Sequence, residues 1–272
     1  MSLLDAFIIG LVQGITEFIP VSSTAHIVIV AYLLDIETPG LSFEIFLHVA
    51  SLLAIVLYFR KDLIELLKGT VRSLSPQRTS EDVAALRFVI YLGIATVITG
   101  VLGLLLIKSL GDEIKSPLVV GSALLLTAIF LFLVEWVQNV GSRNEASLGV
   151  LDAILVGLAQ TIAVVPGLSR SGTTLIASLA LRMNRPTAVR FAFLLAIPVL
   201  AGTSLLALKD MTTGELASLG YPALAFSFIV AFFGSWISIA WLIRLLQQKR
   251  LYWFSIYLVA LATFVWVAQI GA

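Results

Sequence analysis

The chain contains no cysteine. That excludes disulfide frameworks, thiolate metal sites and a cysteine nucleophile. Charge is scarce too: Asp, Glu, Lys and Arg make up 12% of the residues, about half of the ~25% usual in soluble domains. A net charge of +1 leaves no surplus for a nucleic-acid surface. The opening MSLLDAFIIGLVQGITEFIP has no basic n-region and carries Asp5 and Glu17, so it reads as part of the mature fold, not as a cleaved signal. No His/Asp/Glu cluster has the spacing of a closed zinc site.

What is present is apolar. Hydrophobic residues form 60% of the 272, in recurring runs near the ~20 residues that cross a bilayer. The expected fold is an all-α integral membrane domain spanning 1–272. Six segments read as spanning helices, 43–59, 88–107, 117–138, 191–208, 222–243 and 252–270, because backbone groups in lipid must be satisfied within the segment. Basic residues gather in 60–87, 182–190 and 244–250, and Arg143 is the one basic residue of 139–149. The positive-inside rule puts these four connections in the cytoplasm. The connections 108–116 and 209–221, with Asp112, Glu113, Asp210 and Glu215, fall outside. The stretch 69–82 reads as a solvated cytoplasmic loop. The implied location is a plasma membrane, with several crossings.

Two further apolar regions, 3–34 and 150–181, are interrupted by polar and helix-breaking residues. Their halves are too short to span, so each reads as a re-entrant helical hairpin with its tip near the membrane middle. They also resemble each other: DAFIIGLVQGITEFIPVSST against DAILVGLAQTIAVVPGLSRS matches Asp5 with Asp152, Gly10 with Gly157 and Gln13 with Gln160. After one gap, Pro20 meets Pro166 and Ser23 meets Ser169. A hairpin plus three crossings is an odd number, so the two copies, about 1–140 and 148–272, would be inverted, with both termini outside. Inverted repeats place broken helices at a midplane site.

The first tip is QGITEFIPVSSTAH, residues 13–26. Gln13 and Glu17 share a helix face at i,i+4. Pro20 ends that helix, and Ser22, Ser23, Thr24 and His26 open the next. Ser22 and Thr24, taken alone, read as caps before chemistry, and His26 alone reads as a packing histidine. Glu17 is different, because a carboxylate at membrane depth marks function. Glu17, Ser23 and His26 together resemble an acid–base and nucleophile set. The second tip, PGLSRSGTT, breaks at Pro166 and Gly167. It sets Ser169, Arg170 and Ser171 before Gly172, Thr173 and Thr174 at a helix N-terminus, which suits phosphate. The Arg170 fork adds to that; spacing alone also allows a Ser/Thr-capped helix with Arg170 reaching a polar interface, and burial near the midplane favours the anion site. A cation held by Glu17 and substrate phosphates would be Mg2+ or Ca2+. The implied reaction is phosphoryl transfer to water on an amphiphilic substrate.

The two tip motifs resemble the signatures of the undecaprenyl-pyrophosphate phosphatase family of the bacitracin-resistance type. FEIFLHVASLLAIVLYFRKDL (43–63) and RFAFLLAIPVLAG (190–202) extend the likeness to essentially the whole chain. The resemblance implies removal of the terminal phosphate of undecaprenyl diphosphate, a lipid carrier of cell-wall synthesis, at a site opening to the outer face with a divalent cation. It implies metal binding and acid–base work by Gln13 and Glu17, nucleophile or proton-transfer roles for Ser23 and His26, and phosphate binding by Ser169, Arg170 and Thr174. The full candidate set adds Ser22 and Ser171 as phosphate ligands and counts Arg170 with Glu17, Ser23 and His26 as catalytic. Position 13 is Gln where some members carry Glu, and position 25 is Ala where Gly is usual. His48 reads as structural, Asp5 and Asp152 as helix-start carboxylates, Glu44 and Glu135 as interfacial, and most tryptophans as belt residues. A homodimer is compatible with the sequence but not implied by it. A lipid flippase or transporter on the same inverted-repeat plan is the alternative function.

Overall fold

The computed structural model describes residues 1–36, 41–137, 141–207, 220–247 and 251–270. The connection expected at 209–221 lies almost wholly outside the described residues, as do Lys249 and Arg250. The described chain is helical: α1 (Leu3–Thr16), α2 (Ser23–Leu34), α3 (Leu41–Tyr58), α4 (Arg60–Arg72), α5 (Ser80–Leu110), α6 (Pro117–Val137), α7 (Val150–Thr161), α8 (Arg170–Ala180), α9 (Arg185–Ala207), α10 (Tyr221–Gln247) and α11 (Tyr252–Ala268). Among the described residues there is no β-strand, only an isolated bridge between Arg143 and Met183.

Four described helices are long and apolar enough to cross a membrane: Ser80–Leu110, Pro117–Trp136, Arg185–Leu206 and Tyr221–Leu246. The helix expected over 252–270 has 17 residues, Tyr252–Ala268, a little under the ~20 of a typical span. One expectation is corrected. The loop expected over 69–82 is helical at both ends, because α4 folds directly after α3 with a 69° bend and runs to Arg72, and α5 begins at Ser80. The connection between them shrinks to 73–79. Thr79 starts α5 firmly: its hydroxyl accepts from the Asp82 N–H while the Asp82 carboxylate accepts from the Thr79 N–H.

Asp5 and Asp152 do what helix-start carboxylates do. Asp5 accepts from the Ser2 N–H at 2.9 Å and Asp152 from the Gly149 N–H at 2.8 Å. Beyond these starts, α1 packs along α10 and α7 along α5, while α6 pairs with α11 and α3 with α9. Glycine permits the close approaches. A Cβ on Gly10 would lie 2.6 Å from the Ser227 carbonyl of α10, and one on Gly157 would lie 3.0 Å from the Ala95 backbone of α5. Hydroxyls lock both contacts: Ser238 of α10 donates to the Gly14 carbonyl at 2.9 Å, and Thr99 of α5 to the Gly157 carbonyl at 3.1 Å. Small residues and interhelical hydroxyl bonds are how helices associate without a hydrophobic drive.

One end of the bundle carries an ionic layer. Arg190 of α9 bonds Asp62 of α4 at 2.9 Å and also Glu145, and it lies over the Phe88 ring. Arg143 grips Asp152 through both carboxylate oxygens, at 2.8 and 2.7 Å. Arg185 reaches the Leu246 carbonyl at 2.5 Å and Glu135 at 3.2 Å. The connections 60–72, 141–149 and 182–190 and the end of α10 therefore meet at this end. Glu135, near the end of α6, is the ion-pair partner of Arg185 in this layer.

Candidate active site

Both interrupted regions turn back in the bundle, and their turns touch. After α1 the chain makes a tight turn through Glu17–Val21, and α2 starts at Ser23. After α7 it passes through a short 3-10 turn and Pro166–Gly167 to α8. Gly167 has φ 96° and lies under the Val120 carbonyl, where a side chain would clash at 2.5 Å, so only glycine fits. The turns meet where the Ser171 hydroxyl donates to the Ile19 carbonyl at 3.2 Å and Gly172 faces Pro20.

Glu17 is the centre of this junction. Its side chain is 1% exposed, so its charge must be answered by protein. Four groups answer it. The Arg170 guanidinium, from the opposite turn, bonds Oε1. Oε2 accepts from Gln13 Nε2 at 2.9 Å and from the Ser23 hydroxyl at 2.8 Å. His48 Nε2 lies 3.2 Å from the same oxygen. Gln13 and Ser23 of the first tip and Arg170 of the second thus all contact Glu17 directly.

His26 stands apart from that group. Its Nδ1 donates to the Ser22 carbonyl at 2.7 Å, and Nε2 pairs with the Tyr257 hydroxyl at 2.6 Å with the two rings stacked. In a neutral ring this pairing makes Tyr257 the donor. Ser22, expected as a cap or phosphate ligand, makes no cap bond and sits at φ 70°, a region costly for any residue with a side chain. His26 therefore braces a strained turn.

The imidazole that does reach Glu17 is His48. Nearness in sequence does not point to it, because it lies in α3, 31 positions from Glu17. Glu44, one turn earlier on α3, lies within electrostatic reach of both His48 and Glu17. The i,i+4 spacing of Glu44 and His48 on a span was the available signal.

On the second turn the hydroxyls are mostly spent on the backbone. Ser169 caps α8 by accepting from the Gly172 N–H at 3.1 Å, and it exchanges a hydroxyl bond with Ser171 at 3.1 Å. Thr174 bonds back to the Arg170 carbonyl at 3.0 Å, and Thr173 to that of Ser169. Arg170, Ser171 and Thr174 nevertheless border a narrow cavity closed by Phe18, Gln160 and Phe193. Phosphate binding here would draw on Arg170 and the α8 N-terminus first, with Ser171 turning to face it.

For a divalent cation the test is what donors remain. Gln13 Oε1 is buried with no partner, four residues from the Glu17 carboxylate on the same helix. A hard cation needs oxygens: Gln13 Oε1 supplies one as it stands, Glu17 would supply another on giving up one of its present partners, and substrate phosphates would complete the set. No cluster of three or more His, Asp and Glu suited to a metal occurs among the described residues, so the fit depends on those phosphates.

Apolar helices enclosing a buried, fully engaged carboxylate define a helical multi-pass membrane protein with a buried polar centre. The chain belongs to the family described as bacitracin resistance protein BacA, which it matches over residues 6–264. It is 49% identical to undecaprenyl-diphosphatase 2 of Halalkalibacterium halodurans over 97% of this chain and 95% of that protein. Undecaprenyl-diphosphatase 1 of Shouchella clausii is 45% identical, covering 99% and 97%, and the undecaprenyl-diphosphatase of Oceanobacillus iheyensis is 40% identical, covering 95% and 94%.

Proposed function

We propose that the chain is an undecaprenyl-diphosphatase that releases the terminal phosphate of a membrane-embedded polyprenyl diphosphate and so returns the lipid carrier to cell-wall synthesis. The observation that carries this reading is the contact of two turns through Arg170 and Glu17, with Ser23 on the same carboxylate. A transporter needs an anion site, but it does not need a hydroxyl hydrogen-bonded to a buried base. Near-full-length identity to proteins named for this activity points the same way.

The residues divide the work. Arg170 leaves Glu17 for the terminal phosphate and spreads its planar fork over two of its oxygens. Released from that ion pair, Glu17 gains basicity and takes the proton from the Ser23 hydroxyl. Ser23 Oγ forms a bond to the terminal phosphorus as the bond from phosphorus to the bridging oxygen breaks. The lipid monophosphate leaves on that oxygen. Glu17 passes its proton to the departing monophosphate and, a base again, takes one from water; the water oxygen bonds to phosphorus as the bond to Ser23 Oγ breaks, Oγ regains the proton, and inorganic phosphate leaves. His48 holds Glu17 in place and balances its charge. His26 is a positioning residue that fixes the strained Ser22 turn. Gln13 Oε1 and Glu17 would hold Mg2+ or Ca2+, which when bound supplies charge neutralisation on the phosphates.

The topology belongs to the same proposal: two re-entrant hairpins and six crossings in inverted repeats, in the plasma membrane, with the site open to the outer face and both termini outside. The exchange of partners supports it. The first hairpin packs on α10 of the second half, and the second hairpin packs on α5 of the first. The matched Gly10 and Gly157 lie at those two contacts. The arginine-rich ionic layer at one end supports a single cytoplasmic side.

The experiment is phosphate release from a C55 diphosphate by purified protein, with and without chelator, for wild type, Glu17→Ala and Arg170→Ala. The expected result is cation-dependent release that both variants lose. No release by the wild type, or full activity in both variants, overturns the assignment.

A further inference from the structure

Helix α4 plays no part in the site, and its surface is divided three ways. One face packs inward: Leu66 and Gly69 are buried, with Gly69 close against Ala85 of α5. Asp62 on this face bonds Arg190, which fixes the roll of the helix about its axis. A second face is apolar and uncovered: Ile64 is 49%, Leu67 63% and Val71 68% exposed, followed by Leu74 at 79%. These residues recur at the i,i+3,i+7 spacing of one helical stripe. The third face is exposed and basic, with Lys61, Lys68 and Arg72 around a single carboxylate, Glu65. Arg72 also bonds Asp82, whereas Lys61 and Lys68 have no ion-pair partner among the described residues.

The placement of the helix gives these faces a meaning. It follows α3 after one residue, bent 69° away from it, so with α3 upright in the bilayer α4 lies closer to the membrane plane than to its normal. The exposed apolar surface of α3, Leu53 and Leu57, leads in sequence into that of α4. A helix with adjoining apolar and cationic stripes at the end of a span matches a surface of acyl chains bordered by phosphates. A water-facing helix would not expose the apolar stripe, and a helix buried in lipid would not carry the lysines.

We propose that α4 is a membrane-surface helix that sinks Ile64, Leu67 and Val71 into the acyl boundary and binds anionic phospholipid headgroups through Lys61, Lys68 and Arg72. The proposal does not depend on the reaction, and its failure would leave the phosphatase reading intact. It names anionic phospholipid, not the diphosphate substrate, as the occupant.

The cysteine-free chain makes the test direct. Single variants Leu67→Cys, Val71→Cys and Glu65→Cys are labelled with bimane in the full-length protein. They are reconstituted into vesicles of phosphatidylcholine, alone or mixed with phosphatidylglycerol, and quenched by brominated acyl chains or by aqueous iodide. The labels at 67 and 71 should be quenched by the brominated lipid and the label at 65 by iodide. Spin-labelled phosphatidylglycerol should be preferred over phosphatidylcholine, and Lys61→Gln with Lys68→Gln should reduce that preference by about five-fold per charge removed. Iodide quenching at 67 and 71 equal to that at 65 would overturn the proposal. So would disulfide cross-linking of Leu67→Cys copies without lipid quenching, which would make a second copy the occupant. An unchanged lipid preference in the double lysine variant would overturn the headgroup assignment.

Discussion

Arg170 bonds Glu17 across the junction of two turns that lie 153 residues apart in sequence. Each group is buried enough to need the other, with side-chain exposures of 19% and 1%. Breaking one side of such a pair leaves an uncompensated charge and costs about 3–5 kcal/mol, whereas replacing both sides with apolar groups is far milder. Arg170→Met should therefore lower the unfolding temperature in detergent, and the double variant Glu17→Leu with Arg170→Met should recover most of the loss while staying inactive. If the double variant is as unstable as the single one, the pair is not the source of the effect. Arg170→Lys keeps the charge but loses the fork, and its turnover should fall by about 10²–10³, the usual cost of one transition-state donor.

Ser23 donates to Glu17 at 2.8 Å, the geometry of a nucleophile beside its base. Rapid acid quenching of the enzyme with a terminally labelled substrate should trap an acid-stable phosphoserine, and Ser23→Ala should lose both the label and turnover. Turnover retained by Ser23→Ala would make water the direct attacker, with Glu17 as its base.

Much of this centre could be read in the sequence because its members are local. Gln13, Glu17 and Ser23 fall within eleven residues, and the proline, glycine and hydroxyl residues of each turn break apolar helices visibly. The pairing of the two turns was legible only through the matched Asp, Gly, Gln, Pro and Ser positions. His48 was not legible as a partner of Glu17, because its helix contributes one contact across tertiary space and periodicity carries no record of that. The same limit explains His26. Nearness to Glu17 in sequence suggested chemistry, but α2 turns its ring toward Tyr257 of α11. Helix α4 is hard to read from the sequence because Ile64, Leu67 and Val71 are interleaved with charged residues and line up as a stripe only once the stretch is helical.

These placements predict an order of effects for the histidines. His48→Ala removes a direct neighbour of Glu17 and should reduce turnover by about 10² or more, within the range of positioned acid–base groups. His26→Ala removes a brace on the Ser22 turn, so its loss should be smaller and should be restored in part by His26→Gln, which keeps a donor for the Ser22 carbonyl. Steady-state phosphate release from the three variants decides it, and a larger loss in His26→Ala than in His48→Ala would reverse the assignments.

Gln13→Glu tests the cation. Gln13 Oε1 is buried and unpartnered, and a carboxylate there would add a charged oxygen ligand beside Glu17. Metal removal should abolish activity in both proteins, and the variant should regain it at a lower free concentration of Mg2+ or Ca2+. Without metal, two neighbouring buried carboxylates repel, so the variant should unfold at a lower temperature than wild type and be stabilised more by added cation. An unchanged metal requirement would place the cation away from Gln13.

The glycine contacts predict stability without reference to chemistry. A Cβ at Gly10 would meet the Ser227 carbonyl at 2.6 Å, and one at Gly157 would meet the Ala95 backbone at 3.0 Å. In both cases the obstacle is main chain, which cannot rotate aside, so relief requires the paired helices to part. Overpacking of this kind costs about 1–3 kcal/mol, and parting the helices also stretches the hydroxyl bonds of Ser238 and Thr99 that run alongside. Gly10→Val should be the more destabilising because its contact is tighter. Both variants should lower the unfolding temperature in detergent, while Gly100→Val, whose Cβ would meet nothing within 4 Å, should not. If Gly100→Val destabilises as much as Gly10→Val, β-branching within a helix accounts for the effect and the close approach of α1 to α10 does not.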